Sequence, residues 1–421
     1  MTGREDPDPL GSPRDRIVSL QTTSERGGAE YANVDLLEAL AARGHDVLLL
    51  TNLPTIAAGS ELAVHRVDLG PKLSQRHWGR LLLRAPLILA RIARALRAER
   101  PVDILLLHFK KEQLLCSLLP SRLTGTIVWA EWGPLPTQMR SWPARWAYAL
   151  AARRVRGVFA ISHSTSRTVV EAGVPARKVT VVPALMDIEE VSFDAVSRVR
   201  LREKWGVGDR TLVVGCISRL HPRKRNEVVI DAMAHLEGAV LLILAGEGEG
   251  EEALRARAAP YGDRVRFISS VRGHVQAFLS ACDLLVFAPS PLEGEPRAIV
   301  MAQLVGVPVI ATAAEGAEEL IGEGAGTIVS PAHDPIALAA AIDAYRVDPG
   351  RRIREGYTAR EQILETHDFE RTLSEIESAL GVSRHPHQQP PSSPPQRGRR
   401  IWRRPSRRSR RESPTSRKRD S

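Results

Sequence analysis

Residues 284–305 read LLVFAPSPLEGEPRAIVMAQLV, and this stretch decides the fold. The apolar run Leu284–Phe287 predicts a buried β-strand, a turn rich in proline and glycine follows it, and Arg297–Val305 is typical of a helix. Another apolar run, Val307–Ala311, comes after the helix. A strand, a turn, a helix and a further strand in this order predict a unit of parallel β-sheet covered by helices.

The same alternation of strands and helices continues through most of the chain in two series. The first series has predicted strands at Ile17–Leu20, Val47–Leu50, Val102–Leu107, Thr126–Ala130, Val158–Ile161 and Val179–Val182. The second has predicted strands at Thr211–Cys216, Val240–Leu244, Val265–Ile268, Leu284–Phe287, Val307–Ala311 and Gly326–Val329. Strands that are apolar throughout are typical of parallel sheets with helices on both faces. We therefore predict an α/β protein with two Rossmann-like, doubly wound domains that face each other across a cleft.

Changes in composition predict where these domains begin and end. The stretch Asp194–Lys204, rich in charged residues, is interpreted as the link between them. A short amphipathic helix near the end of the chain needs an apolar surface to cover, which we expect on the first domain. The predicted segments are a disordered leader (1–15), a first domain (16–194), a second domain (195–366), the amphipathic helix (367–380) and a disordered basic tail (381–421).

The net charge of +10 belongs to the tail. Residues 384–421 contain 12 Arg and one Lys against one Glu and one Asp, and the rest of the chain is close to neutral. Such a tail attracts polyanions through counterion release, but no nucleic-acid-binding fold accompanies it, so we expect non-specific polyanion binding and no specific nucleic-acid partner. Peripheral contact with an anionic membrane surface is equally consistent with this charge, to which the arginines of a predicted helix at 78–100 could add; ordinary packing of that helix on its sheet is favoured.

Several other classes of protein are disfavoured by the sequence. No apolar run is long enough to span a bilayer, and residues 1–15 lack the apolar segment of a signal peptide, so we expect a cytoplasmic protein. Cys116, Cys216 and Cys282 each lie in or beside an apolar run, and we expect buried, reduced thiols. The histidines show no zinc-ligand spacing, and an Asp-x-Asp occurs only in the leader. We expect neither a metal nor a cofactor.

The loops after the strands of the second series carry the residues that suggest a phosphate site, because ligands bind at the carboxyl ends of parallel strands. Arg219 and Lys224 follow the strand Thr211–Cys216. The planar fork of an Arg and the point charge of a Lys together suit a diphosphate. A solvated basic loop is the alternative interpretation.

The turn that precedes the helix Arg297–Val305 is a second part of this predicted site. The chain turns at Gly294 and enters the helix near Pro296, so the backbone N–H groups of residues 294–298, which include Glu295 and Arg297, are predicted to bind a phosphate. Glu293 comes just before them, and a carboxylate beside a phosphate is unfavourable unless it contacts neutral or positive groups such as sugar hydroxyls. Capping of the helix is the alternative role for Glu295.

Two glycine-containing turns are further candidates for phosphate binding. Gly27 and Gly28 follow the first strand and open a helix, so the backbone could approach a ligand there, although a tight turn explains them as well. The turn Gly246–Gly250 looks similar to a dinucleotide-binding motif, but Glu251 replaces its third glycine and the neighbouring glutamates would repel a pyrophosphate. We interpret it as a flexible turn and exclude a nicotinamide or flavin site.

Taken in order, the motifs resemble those of the family-4 retaining glycosyltransferases, which have two Rossmann-like domains in the GT-B fold. The resemblance covers roughly residues 16–380. The motifs are Gly27-Gly28-Ala29-Glu30 with the Leu-x-x-Ala-Leu-x-x-Arg-Gly-His that follows, the strand Val102–His108, Ile161–Thr165, Val181–Asp187, Arg219 with Lys224, and the run Ala281–Gly294. Each motif is weak alone, and their order and spacing are specific together.

The resemblance implies a metal-independent enzyme of polysaccharide or glycoconjugate biosynthesis that moves a hexose from a nucleotide-diphosphate sugar to an acceptor, with retention of configuration. The second domain would bind the donor: Arg219 and Lys224 would hold the diphosphate, and Glu293 would be the catalytic residue that contacts the hexose. The position that holds the nucleotide ribose falls on Met301, where the family has a second Glu, and Met does not accept a hydrogen bond from a hydroxyl group as a carboxylate does.

The first domain of such an enzyme recognises the acceptor, which the sequence does not identify: a glycan, a lipid-linked molecule or a small molecule. The candidate cleft residues of this domain are Gly27, Gly28, His108, Glu131 and Trp132. Trp132 stands where the family often has a His near the reacting centre.

Met301 and Trp132 leave a second hypothesis open, a degenerate relative that binds a nucleotide-sugar or a partner without efficient turnover. A third hypothesis keeps the fold and changes the reaction to that of a nucleotide-sugar epimerase. It is the least favoured, because no additional acidic and His groups can be placed in the cleft.

Overall fold

The computed structural model describes residues 15–23, 27–57, 60–70, 78–186, 188, 191–269, 271, 273–289 and 293–382, and only the backbone at 78–83 and Gln138. The described residues belong to one compact unit that ends at His385. The predicted leader up to residue 14 and the tail beyond Val382 lie outside them. So do Ser290–Leu292 of the predicted donor loop and Asp187 of the motif Val181–Asp187.

The first domain contains a parallel sheet in the order β3-β2-β1-β4-β5-β6-β7. Its strands are β1 (Arg16–Gln21), β2 (Asp46–Thr51), β3 (Ala63–Arg66), β4 (Ile104–Leu107), β5 (Thr126–Glu131), β6 (Val155–Ala160) and β7 (Val179–Val181). Its helices are α1 (Gly28–Ala42), α2 (Trp78–Ala98), α3 (Lys110–Cys116), α4 (Ser121–Thr124), α5 (Thr137–Arg140), α6 (Ala144–Ala152) and α7 (His163–Glu171). The edge strand β3 has no buried residue, which explains why it has no apolar run in the sequence.

The second domain contains a parallel sheet in the order β10-β9-β8-β11-β12-β13. Its strands are β8 (Leu212–Ile217), β9 (Val240–Ala245), β10 (Val265–Ile268), β11 (Leu284–Phe287), β12 (Val309–Thr312) and β13 (Gly326–Val329). Its helices are α8 (Ala195–Trp205), α9 (Asn226–Ala232), α10 (Glu251–Ala258), α11 (Val275–Ala281), α12 (Arg297–Val305), α13 (Glu315–Leu320), α14 (Pro335–Val347) and α15 (Pro349–Thr366). The predicted α/β architecture with two doubly wound domains is confirmed.

Both sheets bury apolar side chains on both faces, as their apolar strands predict. In the first domain, one core lies between the sheet and α2–α7, and another lies between the sheet and α1. In the second domain, α9, α10 and α14 cover one face, and α11, α12 and α13 cover the other. None of the described helices combines the length and the apolar character needed to cross a membrane.

The predicted link Asp194–Lys204 is helical in the structure. The Asp194 carboxylate accepts a hydrogen bond from the Ser197 N–H at 2.9 Å and caps α8, which ends at Gly206 in the left-handed conformation. Helix α8 packs on α11, and its Arg198 and Arg202 bind Asp283 at 2.6 and 2.9 Å. The segment that we interpreted as the link therefore packs on the second domain through its charged side chains, and the chain passes between the domains before Asp194.

The last described helix, α16 (Phe369–Leu380), returns to the first domain. Leu373, Ile376 and Leu380 complete the core that contains α1. The Glu377 carboxylate is buried between Arg43 and His45, at 3.5 and 3.2 Å. The chain therefore crosses between the domains twice, once after β7 and once between α15 and α16.

Candidate active site

The order of the second sheet brings two loops together. Strands β8 and β11 are neighbours at its centre, although β9 and β10 come between them in sequence. Loops that leave such a pair run in opposite directions and open a crevice at the carboxyl ends of the strands. Arg219 and Lys224 follow β8, and Glu293 follows β11, so the topology explains why residues 69 positions apart meet here.

Lys224 and Glu293 form an ion pair in this crevice, with the Lys224 Nζ 2.7 Å from the Glu293 Oε1. Their side chains are 22% and 16% exposed, so the pair is reachable from the cleft and shielded from bulk water. The ammonium group also lies 5.3 Å from the centre of the Phe287 ring. A cation suited to phosphate and an acceptor suited to sugar hydroxyls therefore stand side by side, and a ligand that uses both must divide the pair.

The loop that carries Arg219 rests on the turn Gly246–Gly250. The Leu220 N–H donates to the Glu247 carbonyl at 3.0 Å, and the Gly250 N–H donates to the Leu220 carbonyl at 2.8 Å. A Cβ on Gly246 would lie 1.9 Å from the Ser218 carbonyl oxygen, so glycine permits this close approach. The turn that we interpreted as flexible is a support for the Arg219 loop. Arg219 itself is exposed.

Two glycines, Gly294 and Gly316, let backbones meet at the predicted donor loop. A Cβ on Gly294 would lie 2.8 Å from the Cα of Gly133 in the first domain, and a Cβ on Gly316 would lie 1.6 Å from the Gly294 carbonyl oxygen. The donor loop is thus held between the residue after Trp132 and the start of α13. Sequence reasoning missed Gly133 and Gly316, and no local pattern marks them, because their partners are distant in the chain.

Glu295 does not lie beside Lys224. Its side chain is 4% exposed, its Oε1 accepts the Ala184 N–H at 3.0 Å, and its Oε2 lies 3.3 Å from the His367 Nε2. Ala184 belongs to the first crossing between the domains and His367 to the second. The Glu295 side chain therefore joins the two crossings and does not cap α12, and phosphate binding by its backbone N–H stays a prediction.

Pro296 and Arg297 begin α12, as expected, but the Arg297 side chain is already engaged. Pro296 is the residue before the first turn, and no side chain caps this helix. The Arg297 Nη1 lies 2.6 Å from the Asp35 Oδ2 on α1, with side chains that are 33% and 20% exposed. The Arg297 side chain thus joins the two domains through an ion pair, and phosphate binding by its backbone N–H stays a prediction.

A second ionic contact joins the domains at α7. The Glu319 carboxylate accepts the N–H groups of His163 and Ser164 at 2.7 and 2.6 Å. Negative charge is favourable at a helix N-terminus, so Glu319 of the second domain stabilises the start of a helix in the first domain. The Ser164 hydroxyl also donates to the Glu293 carbonyl at 3.5 Å. Glu319 was not predicted, since a carboxylate on a short helix gives no local signal of a partner 155 residues away.

Met301, at the predicted ribose position, is partly buried. It packs beside an apolar cluster of the first crossing, α12 and α15. The members of this cluster are Met186, Ile188, Val300, Leu304 and Ile363. Met301, at the position where the resembled family has a carboxylate, therefore packs against apolar side chains.

Among the candidate residues of the first domain, Gly27 and Gly28 open α1. A Cβ on Gly27 would lie 2.5 Å from a Glu30 carboxylate oxygen, whereas a Cβ on Gly28 would meet nothing within 4 Å. His108 follows β4, is 5% exposed, and its ring is tilted against that of Phe109, with ring centres 4.1 Å apart. Strands β1 and β4 are neighbours, so these residues flank the corresponding crevice of the first sheet.

Glu131 anchors a buried network at the end of β5. Its carboxylate accepts hydrogen bonds from Lys110, from Gln113 at 2.9 Å and from the Tyr148 hydroxyl at 2.8 Å. Burial lowers the pKa of Lys110, and burial together with the Glu131 charge raises the pKa of Tyr148. The Glu131 carboxylate thus holds three side chains of the first domain together at the cleft edge of β5.

Trp132, the next residue, is half-buried. Its indole Nε1 is buried and has no hydrogen-bond partner among the described residues. It lies against the donor loop: its carbonyl oxygen is 3.3 Å from the position of a Cβ on Gly294. In the same described part of the chain, no three His, Cys, Asp or Glu side chains converge closely enough to hold a metal ion.

Two family models match the chain in order. Residues 26–190 match Glycosyltransferase Family 4, and residues 197–362 match Glycosyl transferases group 1. Together these segments include almost all of both domains and the loops that carry Lys224 and Glu293.

Curated relatives match the chain in part. It is 29% identical over 217 residues to a GDP-mannose-dependent alpha-(1-6)-phosphatidylinositol monomannoside mannosyltransferase of Mycolicibacterium smegmatis, which is 49% of this chain and 56% of the relative. It is 30% identical over 199 residues to a D-inositol 3-phosphate glycosyltransferase of Xylanimonas cellulosilytica, which is 45% of this chain and 48% of the relative. The chain thus spans about half the length of the curated relatives it matches.

Solved structures share the fold over most of the chain. HepE of Anabaena, in complex with UDP and glucose, has a TM-score of 0.75 at 23% identity and covers 87% of this chain and 100% of its own. Sucrose-phosphate synthase of Thermosynechococcus elongatus has a TM-score of 0.73 at 18% identity, over 87% and 98%. Both domains of this chain are matched in sequence order, in the GT-B arrangement that the motifs predicted. The chain therefore belongs to the family-4 glycosyltransferases.

Proposed function

We propose that this protein transfers a hexose from a nucleotide-diphosphate sugar to an acceptor. The observation that carries this proposal is the pair Lys224–Glu293 at the crevice of the second sheet, with 2.7 Å between Nζ and Oε1. HepE, whose fold is similar, has been solved with UDP-glucose, and one curated relative is GDP-mannose-dependent. A nucleoside-diphosphate hexose is thus the donor class that fits both the side chains and the relatives.

The roles of the residues follow from their charges. Lys224 and Arg219 would hold the diphosphate and stabilise the negative charge that develops when it leaves, which is a large contribution to catalysis in a shielded site. Glu293, once separated from Lys224, would accept hydrogen bonds from hexose hydroxyl groups. Because these two cations supply positive charge at the diphosphate, we propose that the reaction needs no metal ion. We also propose that it retains the anomeric configuration, as the resemblance to the retaining enzymes of family 4 implies.

For the acceptor, we propose a hydroxyl-bearing molecule that enters between Trp132 and the crevice of the first sheet. The curated relatives act on inositol-containing acceptors, phosphatidylinositol mannosides and inositol phosphate, so these are the first acceptors to test. The partly buried indole of Trp132 would form an apolar wall beside the reacting centre.

The test has two stages. Titration calorimetry with UDP, GDP and ADP measures donor-site binding, and transfer from UDP-glucose and GDP-mannose is then followed with and without EDTA. Proton NMR of the product gives the anomeric configuration. No binding of any nucleotide at millimolar concentration would contradict the proposal. Nucleotide binding without donor cleavage or transfer would favour the alternative, a degenerate relative without turnover.

A further inference from the structure

Two tryptophans of the first domain are exposed to solvent. Trp142 is 82% exposed and Trp146 is 62% exposed, and Leu150, which is 44% exposed, follows at the same spacing. Trp146 and Leu150, four positions apart, lie on one face of α6. Trp142 stands in the turn directly before the helix. We call these three exposed side chains the tryptophan stripe. The opposite face of α6 is buried, with Tyr148 and Ala152 in the core of the domain.

The charge around the tryptophan stripe has one sign. Residues 132–170 contain no Asp or Glu. Arg145, Arg153 and Arg154, on and directly after α6, are exposed, and none of them has an ion-pair partner among the described residues. In contrast, Arg140, on the preceding helix, pairs with Glu171. The stripe is therefore an apolar surface framed by unneutralised positive charge.

We propose that the tryptophan stripe binds the surface of an anionic phospholipid bilayer. Tryptophan favours the boundary between acyl chains and headgroups, and arginine side chains can bury their stems while their guanidinium groups contact lipid phosphates. A helix of nine residues is too short to span a bilayer but suits a position in the interface. Interfaces between proteins also favour tryptophan and arginine. The absence of Asp and Glu from residues 132–170 gives this surface a single sign of charge, which an anionic bilayer complements along its whole length.

Helix α6 follows the segment of the first domain that contains Trp132, a candidate residue of the acceptor site. Strand β5 leads to the cleft edge of the first sheet at Glu131, residues 132–136 and α5 follow, and α6 begins there with Trp142 beside its first turn. Tyr148, on the buried face of α6, donates to Glu131, the neighbour of Trp132, at 2.8 Å, so a bilayer bound along the stripe would lie across α6 from this edge of the cleft. Only this step rests on the proposed function: an acceptor carried by a lipid would be presented at the entrance of its site.

The experiment uses the full chain and sedimentation with phosphatidylcholine vesicles, with and without phosphatidylglycerol. Because the tail is itself basic, a parent variant carries Gln in place of the six arginines at positions 403, 404, 407, 408, 410 and 411. The stripe variant adds Trp142→Ser and Trp146→Ser to this parent. The matched control adds Phe193→Ser and Tyr357→Ser, which are exposed at 51% and 66% and lie outside the stripe.

We expect the parent and the control to bind vesicles that contain phosphatidylglycerol, and the stripe variant to bind about 10-fold more weakly or not at all. Equal binding by the stripe variant and the parent would overturn the proposal, and loss of binding in the parent would assign lipid binding to the tail instead. Equal binding to vesicles with and without phosphatidylglycerol would remove the role of charge. A change of mass in light scattering without lipid, confined to the stripe variant, would show that the stripe covers a second copy. Nucleotide calorimetry on the same proteins tests the proposed function separately. Lipid binding without nucleotide binding would support the lipid-binding surface and contradict the proposed function.

Discussion

The Nζ of Lys224 lies 2.7 Å from the Oε1 of Glu293, so the loop after β8 and the loop after β11 neutralise each other across the centre of the second sheet. Neither charge is buried deeply enough to be permanently paired, and each has the chemistry to bind a different part of one nucleotide-sugar. Under the proposed function, binding of a donor would break this ion pair, and each residue would then contact its own part of the donor. Substitutions of Lys224 and of Glu293 should therefore have different effects on nucleotide binding and on catalysis.

Replacing Lys224 by Ala should lower kcat for transfer about 100-fold or more, because a preorganised charge at the leaving group is lost. Glu293→Gln should lower kcat as well while keeping nucleotide affinity within a few fold, since Glu293 is assigned to the hexose. Steady-state kinetics and nucleotide titration measure the two effects. Lys204→Ala, at an exposed position on α8, is the matched control. Unchanged kcat in Lys224→Ala would contradict the assignment of the diphosphate site.

Met301→Glu should strengthen binding of ribonucleoside diphosphates, because a carboxylate can accept hydrogen bonds from ribose hydroxyls. One such contact is worth about 1–3 kcal/mol, or roughly 5- to 150-fold in affinity. The comparison of GDP with 2′-deoxy-GDP by calorimetry isolates the hydroxyl contribution. Met301→Leu keeps the apolar packing and should leave both affinities unchanged. If Met301→Glu binds both nucleotides no better than Met301→Leu does, position 301 does not face the ribose.

Gly316→Ala should disturb the donor loop, because the added Cβ would lie 1.6 Å from the Gly294 carbonyl oxygen. A backbone atom must move, so we expect a loss of about 1–3 kcal/mol in the free energy of unfolding and weaker nucleotide binding. Gly208→Ala, whose Cβ would meet nothing within 4 Å, should change the unfolding free energy by less than about 0.5 kcal/mol. Urea denaturation compares the two variants. Equal stability of both would show that α13 does not rest on the donor loop.

Glu295→Ala should destabilise the protein more than Glu295→Gln does. The amide oxygen of Gln can still accept the Ala184 N–H, whereas Ala leaves that buried donor unpaired, which costs about 1–3 kcal/mol. Urea denaturation measures the difference between the two variants. A larger loss in Glu295→Gln would instead show that the charge beside His367 matters more than the hydrogen bond to the first crossing.

The stability of the protein should fall as the pH rises above 9, in part because of its thiols. Burial raises the pKa of Cys216 to about 12 and also raises the pKa values of Cys116 and Cys282 above their usual range. The unfolded thiols ionise from about pH 9, so between pH 9 and 12 the unfolded state binds fewer protons and is favoured. Urea denaturation at pH 8 and pH 10 measures the slope, which should be shallower in Cys216→Ala by about 1 kcal/mol per pH unit. Equal slopes, or rapid labelling of the native thiols by a disulfide reagent at pH 8, would contradict this.

Sequence alone was sufficient to predict the fold class and to bring Lys224 and Glu293 to one crevice, while their roles stay predictions. Apolar strands and the helices between them are local patterns, and the order of a doubly wound sheet then brings Lys224 and Glu293 to one crevice. The contacts of Glu295, Arg297 and Glu319 could not be obtained in this way. Each of these side chains contacts a partner on the other domain or at a crossing between the domains. Such contacts depend on how the two domains pack on each other, which local sequence patterns do not determine. The exposed strand β3 and the ion-paired helix α8 were not predicted, because neither shows a continuous apolar run in the sequence.

Helix α16 determines when the first domain can complete its core during synthesis. The first domain leaves the ribosome early, but Leu373, Ile376 and Leu380 of its core are among the last described residues to emerge. Until then the apolar face of α1 and the sheet beside it has an uncovered groove, and Glu377 is not yet in place between Arg43 and His45. A nascent chain halted before residue 369 therefore exposes an apolar surface of the kind that chaperones recognise. Completion of the first domain thus requires synthesis of the entire second domain.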